Sequence, residues 1–96
     1  MLDLRPCCEH CGRDLPPAST EARICSFECT FCAACQESVL GNVCPNCGGG
    51  LYPRPVRPRA MLERRPASTE RVLKRLDREA HAVLLARYRD LPPEQR

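Results

Sequence analysis

Residues 8–47 read CEHCGRDLPPASTEARICSFECTFCAACQESVLGNVCPNC, and this stretch decides the fold. It holds eight cysteines in four closely spaced pairs: Cys8 and Cys11, Cys25 and Cys29, Cys32 and Cys35, Cys44 and Cys47. Two cysteines separated by two residues can turn both thiolates toward one metal ion, and two such knuckles complete a tetrahedral Zn²⁺ site. The spacing therefore predicts two bound Zn²⁺ ions, each held by four cysteines.

Size and composition also favour a metal-stabilised domain. All nine cysteines of the 96-residue chain precede Tyr52, and that part has few large apolar residues. A domain of about 50 residues usually needs disulfides or a metal to fold. The N-terminus MLDLRPCCEH lacks an export-signal pattern, and no segment reaches the roughly 20 apolar residues of a membrane span. We therefore expect a cytoplasmic protein with reduced thiols and no membrane contact.

The composition changes near Tyr52 and predicts four segments. Residues 1–51 form a two-zinc Cys-rich domain, 52–67 a Pro/Arg-rich linker or strap, 68–91 an amphipathic basic helix, and 92–96 a tail. The prolines of the strap favour an extended polyproline II conformation. The helix is predicted from Ser68-Thr69 as N-cap and from apolar residues at helical spacing. Its apolar stripe could dock on the zinc domain, on a second copy or on a partner, so the oligomeric state stays open.

Three ligand pairings fit the cysteine spacing. A cross-braced pairing gives site 1, Cys8, Cys11, Cys32 and Cys35, and site 2, Cys25, Cys29, Cys44 and Cys47. A sequential pairing joins the last two pairs on one ion, and a third joins Cys29 and Cys32 to Cys44 and Cys47. The spacing alone does not choose among them.

The order of the pairs resembles the RING-type zinc domain in its all-cysteine form. The resemblance extends to residues 30–35, to a short helix at 36–40 and to the final knuckle at 44–47. It implies a cross-braced, treble-clef-like α+β fold with a short β-hairpin. Glu9-His10 and Gly48 stand where a RING ubiquitin ligase normally has an apolar residue and a cation. The resemblance thus implies the scaffold more than ligase activity.

Residues 4–58, LRPCCEHCGRDLPPASTEARICSFECTFCAACQESVLGNVCPNCGGGLYPRPVRP, are similar to a small bacterial cysteine-rich family catalogued as a domain of unknown function. This resemblance implies no activity. Cys7 stands outside the pairs, and we interpret it as a bystander thiol. His10 is expected to face solvent in the first knuckle, and His81 is expected on the helix surface.

The charge is unevenly distributed. Residues 1–51 hold three Arg against six acidic residues, whereas 52–96 hold eleven Arg and one Lys against six. Eight thiolates on two Zn²⁺ would lower the formal net charge from +3 to about −1, which weakens the case for nucleic acid. Candidate macromolecule contacts are Arg54, Arg57, Arg59, Arg71, Lys74, Arg75 and Arg78.

The sequence predicts a non-catalytic zinc module that binds a macromolecule, with protein favoured over nucleic acid. No nucleophile–base pair or catalytic carboxylate pair is evident, and Cys₄ zinc leaves no open position for water. One alternative is a RING-like ubiquitin-ligase-type adaptor. Another is an iron–sulfur or thiol redox protein, because Cys44-Pro45 after closely spaced cysteines is similar to a ferredoxin run.

Overall fold

A computed structural model describes residues 1–96 and contains a small antiparallel sheet at its centre. Strand β1 spans Ala22–Ile24 and β2 spans Thr30–Cys32, while β3 spans Tyr52–Pro53. The strands are ordered β2-β1-β3, with Arg23 opposite Phe31 on one side of β1 and opposite Pro53 on the other. The turn between β1 and β2 carries Cys25 and Cys29, and β2 ends at Cys32. The hairpin therefore places metal-binding residue types at both of its ends.

Short helices surround this sheet. Helix α1 spans Ala33–Cys35 and continues as a π-helical turn over Gln36–Leu40. Helix α2 spans Arg59–Leu62, α3 spans Arg78–Tyr88, and a 3₁₀ turn covers Pro93–Gln95. No helix has both the length and the apolar composition needed to cross a bilayer.

The core is small and consists largely of cysteines. Four aliphatic or aromatic side chains and Ala22 pack among six cysteines, and the four are Leu15, Phe31, Leu40 and Leu51. Such a core matches the expectation that apolar burial alone cannot stabilise a domain of this size. The predicted fold class is confirmed: the chain is a small α+β protein with a three-stranded antiparallel sheet and two cysteine clusters placed for metal binding.

The C-terminal helix is shorter than predicted, because it begins at Arg78 rather than near residue 68. Asp77 is its N-cap, and the Asp77 carboxylate accepts hydrogen bonds from the backbone N–H groups of Glu79 and Ala80. Ser68 does accept from Glu70 N–H, but residues 71–77 then form no helix. The backbone of this segment bonds to the Cys-rich domain instead, since Lys74 N–H donates to Glu9 O at 2.7 Å. These long-range hydrogen bonds outweigh the helix propensity of residues 68–77.

Residues 68–96, which we call the tail from here on, dock on the Cys-rich domain of the same chain, which is one of the three locations that the sequence left open. Leu76 packs against the core, and the Leu85 side chain lies against Gly41. His81 is buried, and its Nε2–H donates to Leu40 O at 2.9 Å. The expectation that His81 lies on the helix surface is therefore wrong.

The Pro/Arg-rich strap departs from a continuous polyproline II segment. Its first two residues form β3, and residues between Pro58 and Pro66 form α2. The backbone N–H groups of Met61 and Leu62 both donate to Pro58 O. The run Ala-Met-Leu-Glu consists of good helix formers, which explains this turn of helix between two prolines.

We expect Gly41→Ala to destabilise the protein more than Gly12→Ala. Both glycines have positive φ, +59° and +79°, where a Cβ costs about 1–2 kcal/mol. A Cβ at Gly41 would also lie 2.8 Å from Leu85 Cδ1, whereas at Gly12 the nearest atom is 3.6 Å away. Urea unfolding of both variants measures the difference, and Leu85→Ala should recover part of the Gly41→Ala loss. An equal loss of unfolding free energy in Gly41→Ala and Gly12→Ala would contradict close packing of α3 on the turn at Gly41.

Candidate metal centre

The first cysteine cluster brings together Cys8, Cys11, Cys32 and Cys35. Their four sulfur atoms lie within 4.8 Å of one another, and Cys11 Sγ is 3.7 Å from Cys32 Sγ. A tetrahedron with Zn–S bonds of about 2.3 Å has sulfur–sulfur edges of about 3.8 Å. The donor set and its spacing therefore fit one Zn²⁺ ion.

The second cluster contains Cys25, Cys44 and Cys47, whose sulfur atoms also lie within 4.8 Å of one another. Cys29, the fourth predicted ligand, is not part of this three-membered group. Its sulfur is beside that of Cys25 and accepts a hydrogen bond from Asn46 Nδ2 at 3.3 Å. Cys29 is thus next to the cluster but directed partly toward Asn46, a contact that sequence reasoning did not identify.

Strand β2 explains how the hairpin separates the two clusters. Cys29 comes directly before β2, and Cys32 is the last residue of β2. A strand rises about 3.3 Å per residue, so the Cα atoms of Cys29 and Cys32 lie about 10 Å apart. In a tight knuckle, by contrast, two cysteines with the same spacing turn back toward one ion. This geometry disfavours the pairing that joins Cys29 and Cys32 on one metal. The two clusters instead alternate along the sequence.

Hydrogen bonds and burial give the thiols different acidities in the metal-free protein. Burial raises the pKa values of Cys35 and Cys44 far above the ordinary range. Burial also acts on Cys25, but hydrogen bonds, including one from Phe27 N–H at 3.4 Å, outweigh it and lower the pKa of Cys25. Because metal ligation requires thiolates, a metal binding here must displace protons from the buried thiols.

The first knuckle is turned toward the interior of the protein. Glu9 is buried, and its carboxylate accepts from Arg5 Nη1 at 2.8 Å and from Thr30 N–H. His10 Nδ1 accepts from Leu76 N–H at 3.1 Å. The expectation that His10 simply faces solvent is wrong, because its ring is half-buried and bonded to the tail. His10 fixes the tail and offers no free nitrogen at Nδ1 for a metal.

Cys7 lies outside both clusters, where a bystander thiol is expected. Its side chain is buried, and Sγ is 3.7 Å from Val72 O. The backbone at Cys7 pairs with that at Asp14, which closes the loop around the first knuckle. Cys7 thus packs between the Cys-rich domain and the tail. None of the nine cysteines forms a disulfide.

Three of the predicted macromolecule contacts are engaged inside the molecule. Arg54 is only 4% exposed, and its guanidinium donates to the carbonyls of Arg5, Leu15 and Pro16, so its prediction as an external contact is wrong. Arg57 bonds to two carbonyls. Arg71 bonds to Asp14 and to Gly12 O. These arginines tie residues 52–96 to the Cys-rich domain.

The other four predicted contacts have exposed side chains: Arg59, Lys74, Arg75 and Arg78. Lys74 and Arg75 belong to the non-helical segment before α3, and Arg78 belongs to α3. Arg71, Lys74 and Arg75 therefore do not lie on the predicted basic helix of residues 68–91, since the helix begins only at Arg78. Arg59 lies on α2, apart from this group in sequence.

Comparison with known proteins identifies a family and a relative, and neither description states an activity. The family described as "Protein of unknown function (DUF1272)" matches residues 1–57. An "Uncharacterized protein R02474" of Rhizobium meliloti (strain 1021) is 68% identical over 74 residues, which are 77% of this chain and 88% of that protein. No solved structure matches the chain.

Proposed function

The chain belongs to the family described as "Protein of unknown function (DUF1272)". Since that description states no function, we propose one from the cysteine clusters. It is a non-catalytic zinc module: one Zn²⁺ binds Cys8, Cys11, Cys32 and Cys35, and a second binds Cys25, Cys29, Cys44 and Cys47. The observation that carries this proposal is the four-sulfur cluster with a 3.7 Å sulfur–sulfur distance. Cys29 would complete the second site by turning its sulfur from Asn46 toward the other three.

The ions act structurally in this proposal. A metal held by four cysteines has no open position for water or substrate, and the metal supplies folding free energy that the small core lacks. The thiols must stay reduced to bind zinc, so the proposal places the protein in a reducing compartment such as the cytoplasm.

A protein is the partner that this module fits best. Arg54, Arg57 and Arg71 are already bonded to the chain itself, which removes three cations from a phosphate-binding strip. The whole chain has only four aromatic residues, so stacking platforms for unpaired bases are scarce. The remaining exposed cations and apolar side chains suit a mixed protein interface.

A RING-like ligase adaptor has less support. The first-knuckle residue Glu9 is buried against Arg5 and Thr30, and His10 is bonded to the tail. Gly48, after the last knuckle, is buried beneath the Tyr88 ring. The positions that such an adaptor would present to its partner enzyme are therefore used for internal packing.

Native mass spectrometry of the full chain purified without added metal, paired with a visible spectrum, tests the metal proposal. We expect two zinc ions per chain and no absorption in the visible range, because Zn²⁺ has a filled d shell. A brown protein would favour the iron–sulfur alternative. A single zinc would mean that only the four-sulfur cluster is a metal site.

A further inference from the structure

Residues 55–67, which we name the arginine loop, have both ends fixed to the same short N-terminal stretch. At the first end, Arg54 donates to Arg5 O at 2.9 Å, and Arg57 Nη2 donates to Leu2 O at 2.7 Å. At the second end, Ser68 N–H donates to Leu4 O at 3.0 Å. A surface loop with adjacent ends and internal packing is a compact element of the kind that is frequently functional.

The loop is also closed on itself, which gives it a defined shape. Arg57 Nη1 donates to Arg65 O at 2.6 Å and so joins the two sides of the loop. Helix α2 fills the space between them, and Arg65 N–H donates to Met61 O. Arg54 and Arg57 thus hold the loop in place, and neither guanidinium is free for an external ligand.

The outer surface of the loop combines free cations with exposed apolar side chains. Arg59, Arg64 and Arg65 are exposed, and none of their guanidinium groups forms an ion pair or a hydrogen bond with the protein. Val56 is 53% exposed and Met61 is 43% exposed. The loop holds four Arg against one Glu, so its charge is strongly positive.

We propose that the arginine loop is the docking surface for an acidic protein segment that carries an apolar side chain beside its carboxylates. Guanidinium groups bind carboxylates through paired hydrogen bonds, and the exposed Met61 and Val56 side chains of the same loop offer apolar contacts. Arg and Met are both enriched in protein–protein interfaces. This inference rests on the proposed function as a protein-binding module and assigns the surface that performs it.

Two features favour a protein over a nucleic acid at this surface. The loop contains no aromatic residue, so it cannot stack on unpaired bases. It also exposes Val56 and Met61 beside the cations, and apolar side chains gain nothing against phosphates. Free arginines on their own would fit either partner, whereas their combination with exposed apolar groups fits a protein.

Selection from a random twelve-residue peptide library displayed on phage, against the zinc-loaded full chain, tests the inference. We expect the recovered peptides to share two or more Asp or Glu next to one large apolar residue. The triple variant R59E/R64E/R65E should bind these peptides at least about 10-fold more weakly. The matched control R13E/R87E/R89E has the same net charge and should stay within about threefold of the parent. Met61→Ser should weaken binding without any change of charge.

Several outcomes would overturn the inference. Equal binding to both triple variants would place the peptide site elsewhere and leave a protein-binding module standing. Equal losses in both would show a response to net charge rather than to this surface, and enrichment of no shared motif would remove the docking surface. Tighter, loop-dependent binding of a labelled 20-nucleotide DNA would replace the protein partner with nucleic acid. The zinc content of the same samples decides the metal proposal separately.

Discussion

Replacing Cys32 with serine is expected to remove the zinc ion bound at Cys8 and to leave the second ion in place. Cys32 belongs to the cluster with Cys8, Cys11 and Cys35, so three ligands would remain there. Replacing Cys29 should instead weaken the site that contains Cys44. Native mass spectrometry should show one zinc fewer in each variant. Because a structural metal supplies much of the folding free energy in small zinc domains, both changes should also lower the stability of the domain that keeps its other ion.

Thiol alkylation identifies which ion was lost. In Cys32→Ser we expect faster alkylation of Cys8, Cys11 and Cys35 than of Cys44 and Cys47. Cys7→Ser is the matched control and should retain both ions, since Cys7 lies outside both clusters. If Cys32→Ser instead exposed Cys44 and Cys47 first, one of the two pairings that join Cys32 to Cys44 and Cys47 would be correct and the alternating one wrong.

Replacing Arg54 with methionine is expected to lower the free energy of unfolding by about 3 kcal/mol. The guanidinium donates to three carbonyls, those of Arg5, Leu15 and Pro16, and methionine would leave these acceptors without a donor. A hydrogen bond to a charged group contributes about 1.5–3 kcal/mol, and the gain from removing a buried cation offsets part of the sum. Urea unfolding of the zinc-loaded protein measures the change.

Arg59→Met is the matched control for that variant. It makes the same replacement at an exposed arginine without a hydrogen bond, so its free energy of unfolding should change by less than about 0.5 kcal/mol. Arg54→Lys keeps the charge but cannot reach three carbonyls with one planar group, so it should be nearly as destabilising as methionine. If Arg54→Met and Arg59→Met were equally stable, Arg54 would not join the two parts of the chain.

Local spacing made the cysteine pairs predictable, whereas the assignment of those pairs to two cross-braced sites followed only from the RING resemblance. Cys8 with Cys11 and Cys44 with Cys47 each form a knuckle within four residues, so their grouping depends on short-range turn geometry. The RING resemblance also implied the short hairpin and the helix after Cys32, and both are present. The exact direction of the Cys29 sulfur was not predictable, because it depends on the Asn46 amide from another segment.

Long-range bonds explain what the sequence did not predict. Residues 68–77 have helical spacing of apolar residues, yet Lys74 N–H is bonded to Glu9 O and Leu76 N–H to His10 Nδ1. The sequence does not distinguish Arg54 from the surface arginines of the Pro/Arg-rich strap. In the structure, however, it donates to three carbonyls that are distant in the sequence. Neither set of partners can be recognised from spacing, because the partners lie more than 35 residues away in the chain.

The segment before α3 is attached to the Cys-rich domain by its main chain as well as by side chains, and this determines which substitutions it should tolerate. The N–H groups of Ser68, Lys74 and Leu76 donate hydrogen bonds whatever side chains those positions carry. At Lys74, whose side chain is exposed, most substitutions should therefore leave docking unchanged, whereas at Leu76 the side chain itself packs against the core. Proline at position 68, 74 or 76 should weaken docking, because it has no N–H to donate.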